Sequence, residues 1–220
     1  MDITKIFTDG IYFVTGIDTD AGKTYCTAWL ATQLVNAGRS VITQKFIQTG
    51  NPPGRSEDIE AHRRLMGVEM TVEDKEGLTA PVIFSYPASA QLAARLDGRD
   101  IDLHLIEESS AKLKGRYDIV LVEGAGGLKV PITDTFFAID YAADRQLGIV
   151  LVTNGRLGSI NHTVLSLEAL KSRGMNLRAV LYNTYFDTDK IISEDTRGFI
   201  ERYVNAHFPG VPVLDVPTLP

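Results

Sequence analysis

Gly16-Ile17-Asp18-Thr19-Asp20-Ala21-Gly22-Lys23-Thr24 decides the reading of this chain. It is a glycine-bounded loop ending in Gly-Lys-Thr, and its flanks carry the argument. Ile11–Thr15 before it is apolar and β-branched, the pattern of a buried strand. After it, Trp29, Leu30, Leu34 and Val35 recur at helical spacing until Gly38 ends the run. Strand, glycine loop and helix together make a phosphate cradle. Glycine lets backbone N–H groups turn toward an anion, and the helix adds its positive end. Lys23 is then expected to reach the β- and γ-phosphates of a nucleoside triphosphate, and the Thr24 hydroxyl to ligate Mg²⁺. Five residues separate Gly16 from Gly22, one more than the common pattern of about four.

Outward from the loop, short apolar runs alternate with helical patterns. Val41–Thr43, Asp118–Val122, Gly148–Thr153, Arg178–Tyr182 and Val211–Val216 are expected as strands. Asp58–Met66, Ala88–Leu96, Leu103–Leu113, His162–Arg173 and Asp189–His207 are expected as helices, the fourth capped by Asn161 or Ser159. Such alternation predicts an α/β fold, with a mainly parallel sheet covered by helices on both faces. No repeat or linker divides the chain, so residues 1–220 are expected to form a single domain. Residues 67–87 carry no assignable pattern.

Asp118–Val122 runs into Glu123-Gly124-Ala125-Gly126-Gly127. Ligands of parallel α/β sheets bind at the carboxyl ends of strands, which puts Glu123 beside the phosphate loop as a magnesium carboxylate. Lys45 ends the second strand on the same edge, where a second cation would neutralise a transferring phosphoryl group. Asp58, Thr49 and Asn183 are further candidates, each with an ordinary role in capping or turns. Gly155–His162 joins a strand to a helix, whose free N–H groups could hold a carboxylate. His62, His104, His162 and His207 show no metal-ligand spacing and read as structural or solvated. Cys26 and Trp29 read as core.

With 44% apolar and 23% charged residues, the composition is that of a soluble globular protein. The net charge of −6 argues against nonspecific nucleic-acid or membrane binding. The single cysteine, Cys26, excludes an internal disulfide. The first residues lack a signal-peptide pattern and no apolar run is of membrane-spanning length, so the expected location is cytoplasmic.

At these residues the chain resembles the dethiobiotin synthetases. Tyr12–Thr24 resembles that family's long phosphate loop, extra residue included. Lys45 with Gln48-Thr49-Gly50 resembles its second-strand segment, and Ser56-Glu57-Asp58 its magnesium aspartate. Val122–Gly127 with Val130-Pro131 is a close match, and Leu157–Thr163 is similar to its substrate segment. Asn183 falls where the family has an adenine-contacting Asn. Phe46 departs from a frequent proline, Thr49 from a frequent serine and Arg156 from a frequent lysine.

The resemblance implies a P-loop NTPase-like fold and an ATP- and Mg²⁺-dependent ligase. Its substrate would be 7,8-diaminopelargonic acid with CO₂, joined through a carbamate and a carbamic–phosphoric anhydride. It implies Lys45, Lys23 and Thr19 as catalytic. For ATP it implies Asp20, Ala21, Gly22, Lys23, Thr24, Tyr25, Asp58, Glu123, Gly126 and Asn183. For the diamine it implies Thr19, Lys45, Thr49, Gly158, Ser159, Ile160 and Asn161, and for the metal Thr24, Asp58 and Glu123. Gly158–Asn161 would come from a second subunit, so a homodimer is expected, with no nucleic-acid or membrane partner. The rival reading is a regulatory ATPase of the chromosome-partitioning type. Its loop has an early lysine where this chain has Asp18. An amidotransferase-type synthetase would need a glutaminase domain, for which the chain has no room. A small-molecule kinase is the remaining alternative.

Overall fold

Ile11–Thr15 is a strand because a β-branched run buried on both faces has no better conformation. Val41–Lys45 and Gly148–Asn154 are buried throughout in the same way. The computed structural model describes residues 2–218. In chain order these give α1 (Ile3–Ile6), β1 (Gly10–Gly16), α2 (Lys23–Asn36), β2 (Val41–Lys45) and β3 (Gln48–Thr49). Next come α3 (Glu57–Met66), α4 (Val72–Lys75), β4 (Ile83–Phe84), α5 (Ala90–Leu96) and α6 (Leu103–Lys114). The last elements are β5 (Ile119–Gly127), α7 (Ala138–Asp144), β6 (Gly148–Asn154), α8 (Ser159–Ser172), β7 (Leu177–Asn183), α9 (Lys190–His207) and β8 (Val213–Val216).

Six strands form one sheet in the order β2-β5-β1-β6-β7-β8, all pairs parallel. Two apolar layers flank it. On one face Phe13, Val120, Val122, Ile149 and Leu151 meet residues of α5 to α9, among them Ala93, Ile106, Ile139, Leu167 and Ile200. On the other face Tyr12, Val14, Leu121, Val150 and Val152 meet Cys26, Leu30 and Leu34 of α2. Each such aliphatic side chain taken from water stabilises the fold by roughly 1.5–3 kcal/mol. The expected α/β architecture is the one observed. Cys26 is buried, as read, and burial pushes its thiol well above the usual range.

The order places the reversal of chain direction at β1. From β1 the chain crosses to β2, returns to β5 between them, and then proceeds outward through β6, β7 and β8. Ligand crevices open at such a point, beyond the carboxyl ends of the strands.

Residues 67–87 form α4, β4 and turns laid along the outer edge of the sheet. The Lys45 N–H donates to Thr79 O at 2.7 Å, and the Gln48 N–H to Val82 O at 2.9 Å. Gln44 Nε2 donates to Leu78 O at 2.9 Å. The segment is pinned by Arg63, whose guanidinium donates to both Asp74 oxygens at 2.8 and 2.7 Å and to Thr43 Oγ1 at 2.8 Å.

Several boundaries differ from expectation. Helix α8 starts at Ser159 rather than His162, and its cap is Gly158 at φ +94°, not a side chain. Ser159 Oγ instead donates to Asn154 Oδ1 at 2.5 Å. Strand β5 continues through the glycines to Gly127, and β8 begins at Val213. Helices α1 and α7 are additional to the expected elements. Among the described residues no helix is long and apolar enough to cross a membrane.

Candidate active site

Strand register assembles the centre of the site. Glu123 on β5 is paired with Val14 on β1 and with Lys45 on β2, so the two charged side chains stand side by side at the sheet's carboxyl edge. Lys45 Nζ lies 2.8 Å from Glu123 Oε1 and 2.6 Å from Asp58 Oδ2. Asp58 arrives from the first turn of α3, which Ser56 caps by accepting from the Ile59 N–H. Thr24 Oγ1, from the first turn of α2, stands 3.0 Å from both Asp58 Oδ1 and Glu123 Oε1.

Electrostatics follow from burial and pairing. Burial alone would weaken the charge on Lys45, but Glu123 and Asp58 outweigh it and raise the ammonium above its usual range. Burial likewise opposes ionisation of Glu123, yet Lys45 and then His62 hold its carboxyl far below the carboxylate range. Lys23 is different. Burial dominates and lowers it, with repulsion from Lys45 adding to the effect. Its Nζ donates to Asp18 O across the loop at 2.9 Å.

Phe46 follows Lys45 and fixes it from behind. Its N–H donates to Glu123 O at 2.8 Å, a bond that a proline at this position could not make. Its ring packs on Phe13 and Tyr141 with centroids 5.3 and 4.7 Å away.

Three of the hollows that border the loop hold the candidate residues. The first, about 280 Å³, is lined by Thr19, Asp20, Gly22, Lys23, Thr24, Lys45, Thr49, Asp58, Glu123 and Gly126, together with Ile47, Gln48 and Ala125. It unites most of the sequence-derived candidates. The second is lined by Asp18, Thr19 and Ala21 on the loop side and by Gly158 and Ser159 on the other. Gly158–Asn161 therefore does not join the Lys45 cluster within one chain. Ile160 lines neither hollow, and Asn161 is exposed on the first turn of α8. Thr19 borders both hollows. The third, about 410 Å³, is lined by Asp20, Gly22, Tyr25, Asn183, Tyr185, Phe186 and Thr218. Here Asn183 Nδ2 donates to Ala21 O at 3.2 Å, while its Oδ1 accepts from the Tyr185 N–H at 3.1 Å. Tyr25 Oη donates to Pro217 O at 2.6 Å, next to Thr218 in the wall of this hollow.

The arrangement suits a metal–triphosphate. Thr24, Asp58 and Glu123 offer a hydroxyl and two carboxylates around one point, a hard oxygen set of the kind Mg²⁺ takes with phosphates and water. Among the described residues no group of three or more His, Cys, Asp or Glu side chains could hold a metal, so an all-carboxylate cage is not what the chain builds. Sequence reading missed one member. His62 Nε2 lies 2.6 Å from Glu123 Oε2, fully buried. The available signal was its position four residues after Asp58, on the same helical face.

A family model described as an AAA domain matches residues 11–218. ATP-dependent dethiobiotin synthetase BioD 2 of Pasteurella multocida is 49% identical over 199 residues, covering 90% of this chain and 93% of that protein. ATP-dependent dethiobiotin synthetase BioD of Chlorobaculum tepidum is 45% identical over 215 residues, covering 97% of this chain and 90% of that protein. The crystal structure of a ParA family ATPase from Chlorobium tepidum superposes with a TM-score of 0.56 at 16% identity, over 96% of this chain and 85% of that one. That likeness is one of fold.

Proposed function

The chain belongs to the family of ATP-dependent dethiobiotin synthetases, and from that premise we propose that it converts 7,8-diaminopelargonic acid, CO₂ and ATP to dethiobiotin, ADP and phosphate, with Mg²⁺. One amine of the substrate captures CO₂ as a carbamate. A carbamate oxygen attacks the γ-phosphate and ADP leaves. The second amine then attacks the carbamic carbon of the mixed anhydride, closes the ureido ring and expels phosphate. Such phosphoryl transfer depends on positioning and charge neutralisation rather than on a covalent enzyme intermediate.

The observation that carries this reading is the cleft holding Lys23, Lys45, Thr24, Asp58 and Glu123 in one space with Thr19 and Thr49. Lys23 and Lys45 supply positive charge to the transferring phosphoryl group. Bound Mg²⁺, held by Thr24, Asp58 and Glu123, would neutralise the phosphate oxygens. Asp20, Ala21 and Gly22 offer loop backbone to the triphosphate, with Gly126 opposite. Asn183 and Tyr25 border the hollow suited to the adenine. Thr19 and Thr49 orient the diamine and its carbamate. Gly158, Ser159, Ile160 and Asn161 of a second subunit receive the substrate's distal carboxylate, so the working unit is a homodimer, and its place is the cytoplasm. The cleft supports the homodimer, because none of these four residues lines it within one chain. The partitioning-type reading is less supported, since the relatives at 45–49% identity are synthetases by name.

The test is ADP release from the purified chain. It should require both bicarbonate and the diamine, with dethiobiotin formed mole for mole. ATP hydrolysis indifferent to the diamine, or stimulated by DNA or lipid, would sink the ligase reading.

A further inference from the structure

Helix α3 turns an unusual face inward. Its buried positions are Ile59, His62 and Arg63, so two of three are polar. Arg63 is accounted for by Asp74 and Thr43. The one hydrogen-bond partner of His62 among the described residues is Glu123 Oε2, at 2.6 Å, and its Nδ1 has none. Burying an imidazole for a single contact is costly unless that contact serves something.

The two oxygens of Glu123 face opposite ways. Oε1 points into the cleft, toward Thr24 and Lys45, while Oε2 points back into the protein at His62. Asp58 and His62 are one helical turn apart, so α3 brings both a cleft carboxylate and the support for the other one.

We propose that His62 is a positioning residue for metal–nucleotide binding, whose Nε2–H holds the rear oxygen of Glu123 so that the front oxygen is presented to Mg²⁺ at a fixed angle. The proposal rests on the assignment of Glu123 as a magnesium ligand made above, and not on the ligase chemistry. A carboxylate on a three-torsion side chain gains precision from a rigid partner on its far oxygen. Loss of such a partner typically lowers metal affinity by about 10–100-fold.

The experiment is calorimetric titration of AMP-PNP into the wild type, His62→Leu and His62→Gln, once with Mg²⁺ and once with EDTA. Thermal unfolding establishes that each variant is folded. His62→Leu keeps bulk but removes the donor, whereas His62→Gln returns an N–H at similar reach. His62→Leu should bind Mg·AMP-PNP about 10–100-fold more weakly. Its EDTA affinity should be unchanged, and His62→Gln should restore the metal-dependent gain. The proposal is overturned if His62→Leu keeps that gain, if it loses equally in EDTA, or if His62→Gln is as defective as His62→Leu. Should His62→Leu fail to fold, His62→Gln decides: a wild-type gain supports the proposal and a lost gain overturns it. No diamine or bicarbonate is present, so failure here leaves the ligase assay intact, and failure of the ligase assay leaves this measurement intact.

Discussion

Replacing Lys45 by methionine keeps an unbranched side chain of similar length and deletes one charge. Two carboxylates then lose their shared cation. They do not suffer equally, because the side chain of Asp58 is 27% exposed and that of Glu123 only 1%. Asp58 can regain water, while Glu123 retains His62 and Thr24 alone. Breaking a buried pair from one side costs about 3–5 kcal/mol. At this chain length each kcal/mol lowers Tm by about 2–4 °C, so a fall of about 6–20 °C is expected without ligand. Mg·AMP-PNP delivers positive charge to the same carboxylates, so its thermal shift should be larger in Lys45→Met than in wild type. Diamine-dependent ADP release should fall roughly 10²–10³-fold, the scale for losing one transition-state donor. Scanning fluorimetry with and without Mg·AMP-PNP, and a coupled ADP assay, read these quantities. A variant Tm within about 2 °C of wild type, on the same scale, would show that Lys45 is not the charge partner that keeps Glu123 ionised in the interior.

Two further substitutions probe other parts of the molecule. Gly22 sits at φ +88°, and a Cβ there would overlap Asn183 Nδ2, so Gly22→Ala should weaken AMP-PNP binding in calorimetry and lower Tm. Adding Asn183→Ala should recover part of the Tm loss, and a wild-type Tm for Gly22→Ala refutes the packing argument. Burial opposes ionisation of Asp74, but the bonds from Arg63 and Thr79 prevail and hold its carboxyl below the usual range. A depressed acid stabilises the fold above its unfolded pKa of about 3.9, and the benefit is lost as pH falls through the lower folded value. Urea unfolding should therefore show the gap between wild type and Asp74→Asn narrowing below about pH 4; a constant gap would be inconsistent with the pairing.

Legibility in the sequence followed the range of the interactions involved. Strands β1, β5, β6 and β7 were readable because burial on both faces demands continuous apolar residues, a local signal. The phosphate loop was readable because glycines, lysine and threonine act within one turn of chain. His62 was not, because what makes it matter is Glu123, 61 residues away in sequence. The start of α8 was misplaced because its cap is a backbone conformation at Gly158, which leaves no side-chain signature. Residues 67–87 stayed blank for a related reason: they are held by main-chain bonds to an edge strand and by one buried ion pair, neither of which imposes a period.

That blank segment bears on colloidal behaviour. An open six-stranded sheet ends in two lines of unpaired amides and carbonyls, and a bare line of that kind templates strand addition between molecules. On the β2 side the Lys45 N–H is taken by Thr79 O, so the chain's own backbone blocks one end of that line. On the other side, β8 is four residues long and carries Asp215 paired with Arg197. Arg63 and Asp74, by fastening the segment that carries Thr79, keep that end of the line occupied. Loosening them should give a protein that clumps more readily.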